Sequence, residues 1–305
     1  MAIGRNEGQI VRLISDQEPK LVELAAGSLS DSADSNWTRY IVGTLIELNC
    51  GTMGLDISVS SDVPMRRGLA SSAALTVATA LSLTKLMQLK PASLDLALTC
   101  QRVEQKYLGV SCGLLDPYTA LHGKANHLLL VDCAEQSHEQ LSFPSSLGLV
   151  VCDSQVDRQL SRTLYNIRRS ECQQVANALS RPWLRGATFA QLDALRERLP
   201  IQTRRAEHVL NEIDRVIQFC RALHTEDYQS IHQIMAEAHR SCRVLFECSH
   251  PKVDALVDRA SQHGGCLGAR MTGGGWGGAT ISIVYKDQME NFCRDVSPKE
   301  PCIAW

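Results

Sequence analysis

Apolar and polar residues alternate along residues 54–63 (GLDISVSSDV), the pattern of a half-buried strand, and Pro64 ends it. Residues 71–89, rich in Ala and Leu, predict a helix. A second helix is predicted over 93–107, where Leu96, Cys100, Val103 and Tyr107 fall on one stripe. Two short apolar runs, 127–133 (HLLLVDC) and 147–152 (LGLVVC), have strand character. Between them Phe143-Pro144-Ser145-Ser146 reads as a linker, which sets domains of 1–144 and 145–305. Helical periodicity then returns over about 164–179, 189–198, 203–223, 228–244 and 252–263, before a glycine cluster leads into a strand at 279–284 (ATISIV). No internal repeat interrupts this order. Strands and helices mixed without regular βαβ alternation predict an α+β fold.

Composition narrows the function classes. The chain has 305 residues, 44% hydrophobic and 21% charged, enough for two full cores. Net charge is −2 and no Lys/Arg block follows a phosphate backbone, which argues against nucleic acid as the main partner. No apolar run approaches a membrane span, and the first residues, MAIGRNEGQIVRL, lack the apolar core of a signal peptide. The twelve cysteines are scattered singly without a C-x-x-C pair, so they read as small buried hydrophobes of a reducing cytoplasm.

Two glycine-containing segments carry the chemistry. In Pro64-Met-Arg-Arg-Gly-Leu-Ala-Ser-Ser-Ala-Ala74, Gly68 permits a tight turn and Ser71 and Ser72 start a helix. A helix N-terminus offers unpaired N–H groups and partial positive charge to a polyphosphate, and a serine hydroxyl there can reach a phosphate-bound Mg²⁺. An ordinary Ser-capped helix explains the same segment equally well. The second segment, Met271-Thr-Gly-Gly-Gly-Trp-Gly-Gly-Ala279, happens to contain G-x-G-x-x-G. A dinucleotide site needs a strand before and a helix after it, and here a strand follows. Such a cluster means close backbone approach, either to a ligand or to a neighbouring segment.

In this form and order the segments resemble two signatures of the GHMP small-molecule kinases, P-x-x-x-G-L-[GS]-S-S-A and, in its galactokinase form, M-T-G-G-G-[FW]-G-G. Gly109-Val-Ser-Cys-Gly-Leu-Leu-Asp116 is similar to the galactokinase stretch that ends in a catalytic aspartate. Thr163-Leu-Tyr-Asn-Ile-Arg-Arg169 and His239-Arg-Ser-Cys-Arg243 match the same family. The resemblance implies a ribosomal S5 domain 2-like N-terminal domain and a ferredoxin-like C-terminal domain, with ATP and Mg²⁺ as cofactors and a monosaccharide as substrate. Galactose, converted to galactose 1-phosphate, is the expected sugar. Asp116 would orient or deprotonate the sugar hydroxyl, and Tyr165 would contact the sugar. Ser71 and Glu104 would hold Mg²⁺. Trp37 would lie against the adenine, and Gly68, Leu69, Ala70, Ser71, Ser72, Gly273, Gly274 and Gly275 would line the nucleotide. Without the family, Asp116-Pro117 reads as a turn former, Glu104 as a solvated helix residue, Tyr165 as half-buried packing and Trp37 as a core aromatic.

The chain also departs from the pattern. Galactokinases carry a first motif, G-R-x-N-L-I-G-E-H-x-D-Y, that supplies a charge-stabilising arginine and the Glu, His and Asp that grip the sugar. These 305 residues contain no such segment. The expectation is a chain short at both ends relative to the family. The leading expectation is an ATP-dependent sugar kinase in which loss of that arginine lowers the rate by several orders of magnitude and loss of the sugar contacts raises KM; the alternatives are a catalytically impaired homologue that senses nucleotide or sugar, and an inactive truncated product. Arg66 and Arg67 stand where glycine is usual, and Ala70 where serine or glycine is.

Overall fold

The computed structural model describes residues 1–29, 36–63, 65, 69–109, 111–156, 161–298 and 302–304. The chain divides into two compact units, the first built from Met1–Met65 and Ala70–Leu141 and the second from Arg66–Leu69 and Ser142–Trp305.

The first unit opens with β1 (Ala2–Arg5), β2 (Ile10–Ser15) and β3 (Val22–Ala25), followed by α1 (Asn36–Glu47) and β4 (Leu55–Val59). Three helices follow, α2 (Ser71–Leu86), α3 (Ser93–Leu108) and α4 (Leu115–His122), then the two-stranded sheet of β5 (His127–Asp132) and β6 (Ser137–Ser142). The larger sheet has the order β1-β4-β2-β3, with β4 antiparallel to β1 and parallel to β2. Alternation in β2 and β4 turns Val11, Leu13, Leu55, Ile57 and Val59 to one face, where they meet Ile41 and Leu45 of α1 and Leu83 of α2. Each such side chain contributes roughly 1.5–3 kcal/mol by leaving water. Helix α2 packs against α1, α3 and α4, so apolar and small residues occupy most of its surface. Its buried Thr76 and Thr79 hydroxyls donate to the carbonyls of Ser72 and Leu75, both at 2.8 Å, so neither buried oxygen lacks a partner.

The first strand of the second unit is β7 (Leu147–Asp153), which residues 143–146 join to β6. It continues through α5 (Ser161–Ala178), α6 (Phe189–Asp193), α7 (Pro200–His224), α8 (Tyr228–Ser241) and α9 (Pro251–Gln262). It closes with β8 (Cys266–Thr272), β9 (Ala279–Tyr285), α10 (Met289–Val296) and β10 (Cys302–Ala304). All neighbours in the sheet β10-β7-β9-β8 run antiparallel. Helices α9 and α10 bury Leu256, Val257, Phe292 and Val296 against it. A separate cluster of Val175, Ala176, Leu192, Ala206 and Leu210 joins α5, α6 and α7.

Two predicted helices are shorter than their periodicity. Residues 189–198 are α-helical only to Asp193 and go on as tighter i→i+3 turns, with the Leu195 N–H on the Leu192 carbonyl and the Arg196 N–H on the Asp193 carbonyl, before Pro200 starts a new helix at its own N1 position. The stretch 228–244 is α-helical to Ser241 and then widens into a π-type turn, Cys242–Phe246, ended by Glu247 at φ 52°.

Candidate functional site

In the first unit, α2, α3 and α4 pack on one another and bring the predicted catalytic segment together. Asp116 lies in the first turn of α4. The loop before it is held from α3, where the Gln105 and Gln101 side-chain amides donate to the Cys112 carbonyl at 3.0 and 3.3 Å. Behind Asp116, Pro117 is buried, and the buried Tyr118 hydroxyl donates to the Gln136 carbonyl at 3.1 Å. Asp116 is thus fixed from both sides, within a helix rather than in the isolated turn that Asp-Pro suggests. It reaches solvent, yet crowding by protein and then the negative charge of Glu104 raise its pKa above the ordinary 3.8.

Glu104 is only 7% exposed, which excludes the solvated-glutamate reading. Its Oε1 has no hydrogen-bond partner among the described residues. Burial, then the charge of Glu104, pushes the nearby Cys112 thiol well above the usual range. An unpaired buried carboxylate oxygen is costly unless a cation or a proton neutralises it. These residues fit a divalent cation: two mutually repelling carboxylates, one with an unsatisfied buried oxygen, on helices packed against the one that Ser71 opens.

That helix does not start as a Ser-capped helix. Its N-cap is Ala70, in left-handed backbone at φ 54° and ψ 34°, and no side chain caps it. Ser71 and Ser72 occupy the first two helical positions, half-buried, so neither hydroxyl is the cap. Left-handed backbone costs a residue with a Cβ about 1–2 kcal/mol, part of which glycine recovers despite its greater freedom when unfolded. Ala70→Gly is therefore expected to raise Tm by about 1–3 °C in a calorimetric scan. A fall in Tm would show the strain to be absent. Leu69 is half-buried in the approach to this cap, whereas Gly68, Arg66 and Arg67 lie outside the described residues. Trp37, in the first turn of α1, is half-buried and packs against the sheet core of this unit.

In the second unit the glycine cluster forms the 273–278 connection of the β8–β9 hairpin, with Thr272 opposite Ala279. Gly273, Gly275, Gly277 and Gly278 all have positive φ, and Trp276 joins them at 55°. Gly273 is exposed and Gly274 half-buried, whereas Gly275 is buried. A Cβ on Gly275 would collide with the Cys248 carbonyl, and one on Gly277 would stand 2.8 Å from the Val156 Cβ. The Trp276 N–H also donates to the Cys248 carbonyl, at 2.5 Å. Packing thus accounts for the two later glycines, and Gly273 and Gly274 present the accessible backbone. Gly275→Ala, strained at φ 94° and sterically blocked, is expected to cost about 1–3 kcal/mol, read as a lower denaturation midpoint. An unchanged midpoint would contradict this packing.

Tyr165 sits half-buried near the start of α5, and Arg168 follows one turn later. The Arg168 Nε donates to the Phe246 carbonyl at 2.6 Å, Nη1 pairs with Glu171 at 3.1 Å, and the guanidinium lies 5.8 Å from the Trp276 ring centre. Arg205, 3% exposed, donates to the Leu245 carbonyl at 2.5 Å, to Glu247 at 2.7 Å and to Glu171 at 3.2 Å. The two arginines clamp the π-type turn whose neighbour Cys248 supports the glycine loop. His239 holds the other side of that loop: its Nδ1 accepts the Met271 N–H at 3.4 Å, and its Nε2 lies 3.2 Å from Asp254. Sequence reasoning placed residues 163–169 and 239–243 in motifs but assigned none of these supports. A long-range hydrogen bond leaves no local pattern to read.

Among the described residues one other group has metal-ligand character, His208, Glu212 and Cys242. The Glu212 oxygens already accept from Arg215 at 2.6 Å and Arg270 at 2.8 Å, and Arg270 reaches the Cys242 sulfur at 3.8 Å. Arginines so placed supply the positive charge a metal would bring and disfavour one there.

Comparison with known proteins agrees with this geometry. The model of the GHMP kinases N terminal domain matches residues 39–124, and that of the GHMP kinases C terminal matches residues 219–300. Fold and glycine segments together define a GHMP kinase. A galactokinase of Roseiflexus sp. (strain RS-1) is 38% identical over 270 residues, covering 86% of this chain and 69% of the relative. The galactokinase of Bos taurus is 39% identical over 256 residues, covering 82% of this chain and 64% of the relative. The fold is that of the Lactococcus lactis galactokinase solved with galactose, with TM-score 0.92 at 24% identity over 99% of this chain and 83% of that one. The chain belongs to the galactokinase family of the GHMP kinases, and it spans about two thirds of the length of these curated relatives. No helix among the described residues is long and apolar enough to cross a membrane.

Proposed function

We propose that this chain transfers the γ-phosphoryl group of ATP to a hydroxyl of a monosaccharide, galactose, giving galactose 1-phosphate and ADP. The observation that carries the reading is the Glu104–Asp116 pair, two carboxylates held close on packed helices with one buried oxygen unsatisfied. Phosphoryl transfer asks chiefly for positioning and charge neutralisation. Asp116, accessible and fixed, orients the attacking hydroxyl and receives its proton, while Tyr165 contacts the sugar. In the first unit the N–H groups at the start of α2, with Ala70 and Ser72, receive phosphate oxygens and Trp37 contacts the adenine; in the second, Leu69, Gly273 and Gly274 receive phosphate oxygens and Gly275 supports the glycine loop. Glu104 and Ser71 hold Mg²⁺, which supplies charge neutralisation on the phosphates. A cytoplasmic setting suits both substrates.

The test is ADP release over a panel of aldohexoses, with a thermal-shift series in Mg-ATP run alongside. Galactose-dependent release is expected, and saturating Mg-ATP should raise Tm by roughly 5 °C, since a ligand at about 100 times its Kd adds about 2.7 kcal/mol. A shift without turnover would favour the second reading, a nucleotide-binding homologue, which the absence of a G-R-x-N-L-I-G-E-H-x-D-Y segment from these residues keeps in play. Neither shift nor turnover would overturn both.

A further inference from the structure

Three cysteines, spread from residue 152 to residue 302, meet at the edge of the second unit's sheet. Cys302 of β10 is the register partner of Cys152 in β7. Their sulfurs stand 2.8 Å apart, well inside the roughly 3.5–4.0 Å at which heavy atoms normally touch. Opposed residues of an antiparallel pair have Cα atoms about 4.5 or 5.5 Å apart, and a disulfide spans about 4.4–6.8 Å, so no backbone movement is needed to join them. Cys293 of α10 lies beside Cys302, and burial and that neighbour push its thiol up to about 11. Cys152 is fully buried, whereas Cys302 is only partly so.

We propose that Cys152 and Cys302 are a redox-modifiable pair which glutathione disulfide converts to a disulfide, stapling β10 to β7. The Cys302 thiolate attacks one sulfur of glutathione disulfide, forming a mixed disulfide and releasing one glutathione thiolate. Cys152 then attacks the Cys302 sulfur and releases the second glutathione. The two protein thiols lose two electrons and two protons, and the two departing glutathiones take them up. Burial favours this order, because only Cys302 has a surface that glutathione reaches. Cys302 is itself held well above the ordinary thiol range by Cys152 and by burial, so the reaction is slow at neutral pH and faster in mild alkali. The bond has a mechanical consequence. β10 is a three-residue edge strand, while the far end of β7 pairs Asp153 with Ala279 at the base of the glycine loop. A staple closing a loop from 152 to 302 therefore fixes the chain's last strand to the strand that carries that base.

The experiment is peptide mapping of the full chain, without reduction, after incubation with glutathione disulfide at pH 8.5, beside a sample kept in reductant. The expected result is a cross-linked peptide pair containing Cys152 and Cys302, with a Tm roughly 5 °C or more above the reduced chain. Cys293→Ser should keep the link, and Cys302→Ser should lose both the link and the Tm gain. The proposal is overturned if Cys302 pairs with Cys293, if the link forms between Cys242 and Cys248, or if Cys302 stays free or glutathionylated once the exposed Cys133 has reacted. Mapping of the unsubstituted chain decides the matter even if a variant fails to fold.

Discussion

Asp116→Asn is expected to lower galactose-dependent ADP release by about 10³-fold while leaving the chain at least as heat-stable as the parent. The activity loss follows from removing the group that orients and deprotonates the sugar hydroxyl. The stability result follows from its surroundings: crowding and Glu104 disfavour the charged form, so the ionised carboxylate is a burden on the folded state. The sign is fixed by linkage. Because the folded pKa is raised, the burden is absent below the ordinary 3.8, grows as pH rises through the folded value, and is complete at neutral pH. The Tm advantage of Asp116→Asn should therefore be present at pH 7 and shrink toward pH 4. A variant that unfolds more easily at pH 7 would show that the carboxylate holds the fold together instead, and one with parental turnover would refute its role.

The largest stability effect belongs to Arg205→Ala, which is expected to cost about 3 kcal/mol and lower Tm by about 6–12 °C. It strips a buried guanidinium from the Leu245 carbonyl and from Glu171 and Glu247, leaving a buried acceptor unpaired and each carboxylate one donor short, with Arg168 still on Glu171 and Arg204 still on Glu247. Part of the loss is relieved by water, since Glu247 is 43% exposed, and this holds the figure at the lower end for a broken buried pair. Arg204→Ala is the control. Its bridge to the same Glu247 spans 3.3 Å with both side chains 43% exposed, and such pairs contribute less than about 1 kcal/mol. Equal midpoints for the two variants in urea would contradict the clamp. Because the clamp supports Cys248 beneath the glycine loop, Arg205→Ala should also raise the KM for ATP in whatever fraction stays folded.

Much of the architecture was legible because its signals are local. The alternation that predicts a strand at 54–63 appears as β4, and the stripe of Leu96, Cys100, Val103 and Tyr107 is the buried face of α3. Short elements escaped. α4 is eight residues long and carries Asp-Pro in its first turn, which by itself reads as a turn, and β10 is three residues whose strand character comes from pairing with β7. Residues 143–146, read as a linker from a proline with two serines, connect β6 to β7.

The candidate site divides along the same line. Ser71 at a helix start, Glu104 on α3 and the glycines ahead of a strand follow from local sequence and from the family motifs, whereas β8 before those glycines was not predicted. That Ala70, not a serine, caps α2 in left-handed backbone could not be read, because the sequence rule favours the serine. Nor could the burial of Glu104 with an unsatisfied oxygen, which depends on the packing of α2, α3 and α4. The supports of the glycine loop were the least legible, since Arg168 meets Phe246 across 78 residues and Arg205 meets Leu245 across 40.

The central claim is phosphoryl transfer from ATP to galactose by this chain, and ³¹P NMR of the reaction mixture tests it most directly. Incubated with Mg-ATP and galactose, the parent chain should consume the γ-phosphate resonance and produce that of galactose 1-phosphate in equal amount, while Asp116→Asn leaves the spectrum essentially unchanged. No sugar phosphate from the parent chain, or equal amounts from parent and variant, would contradict the account.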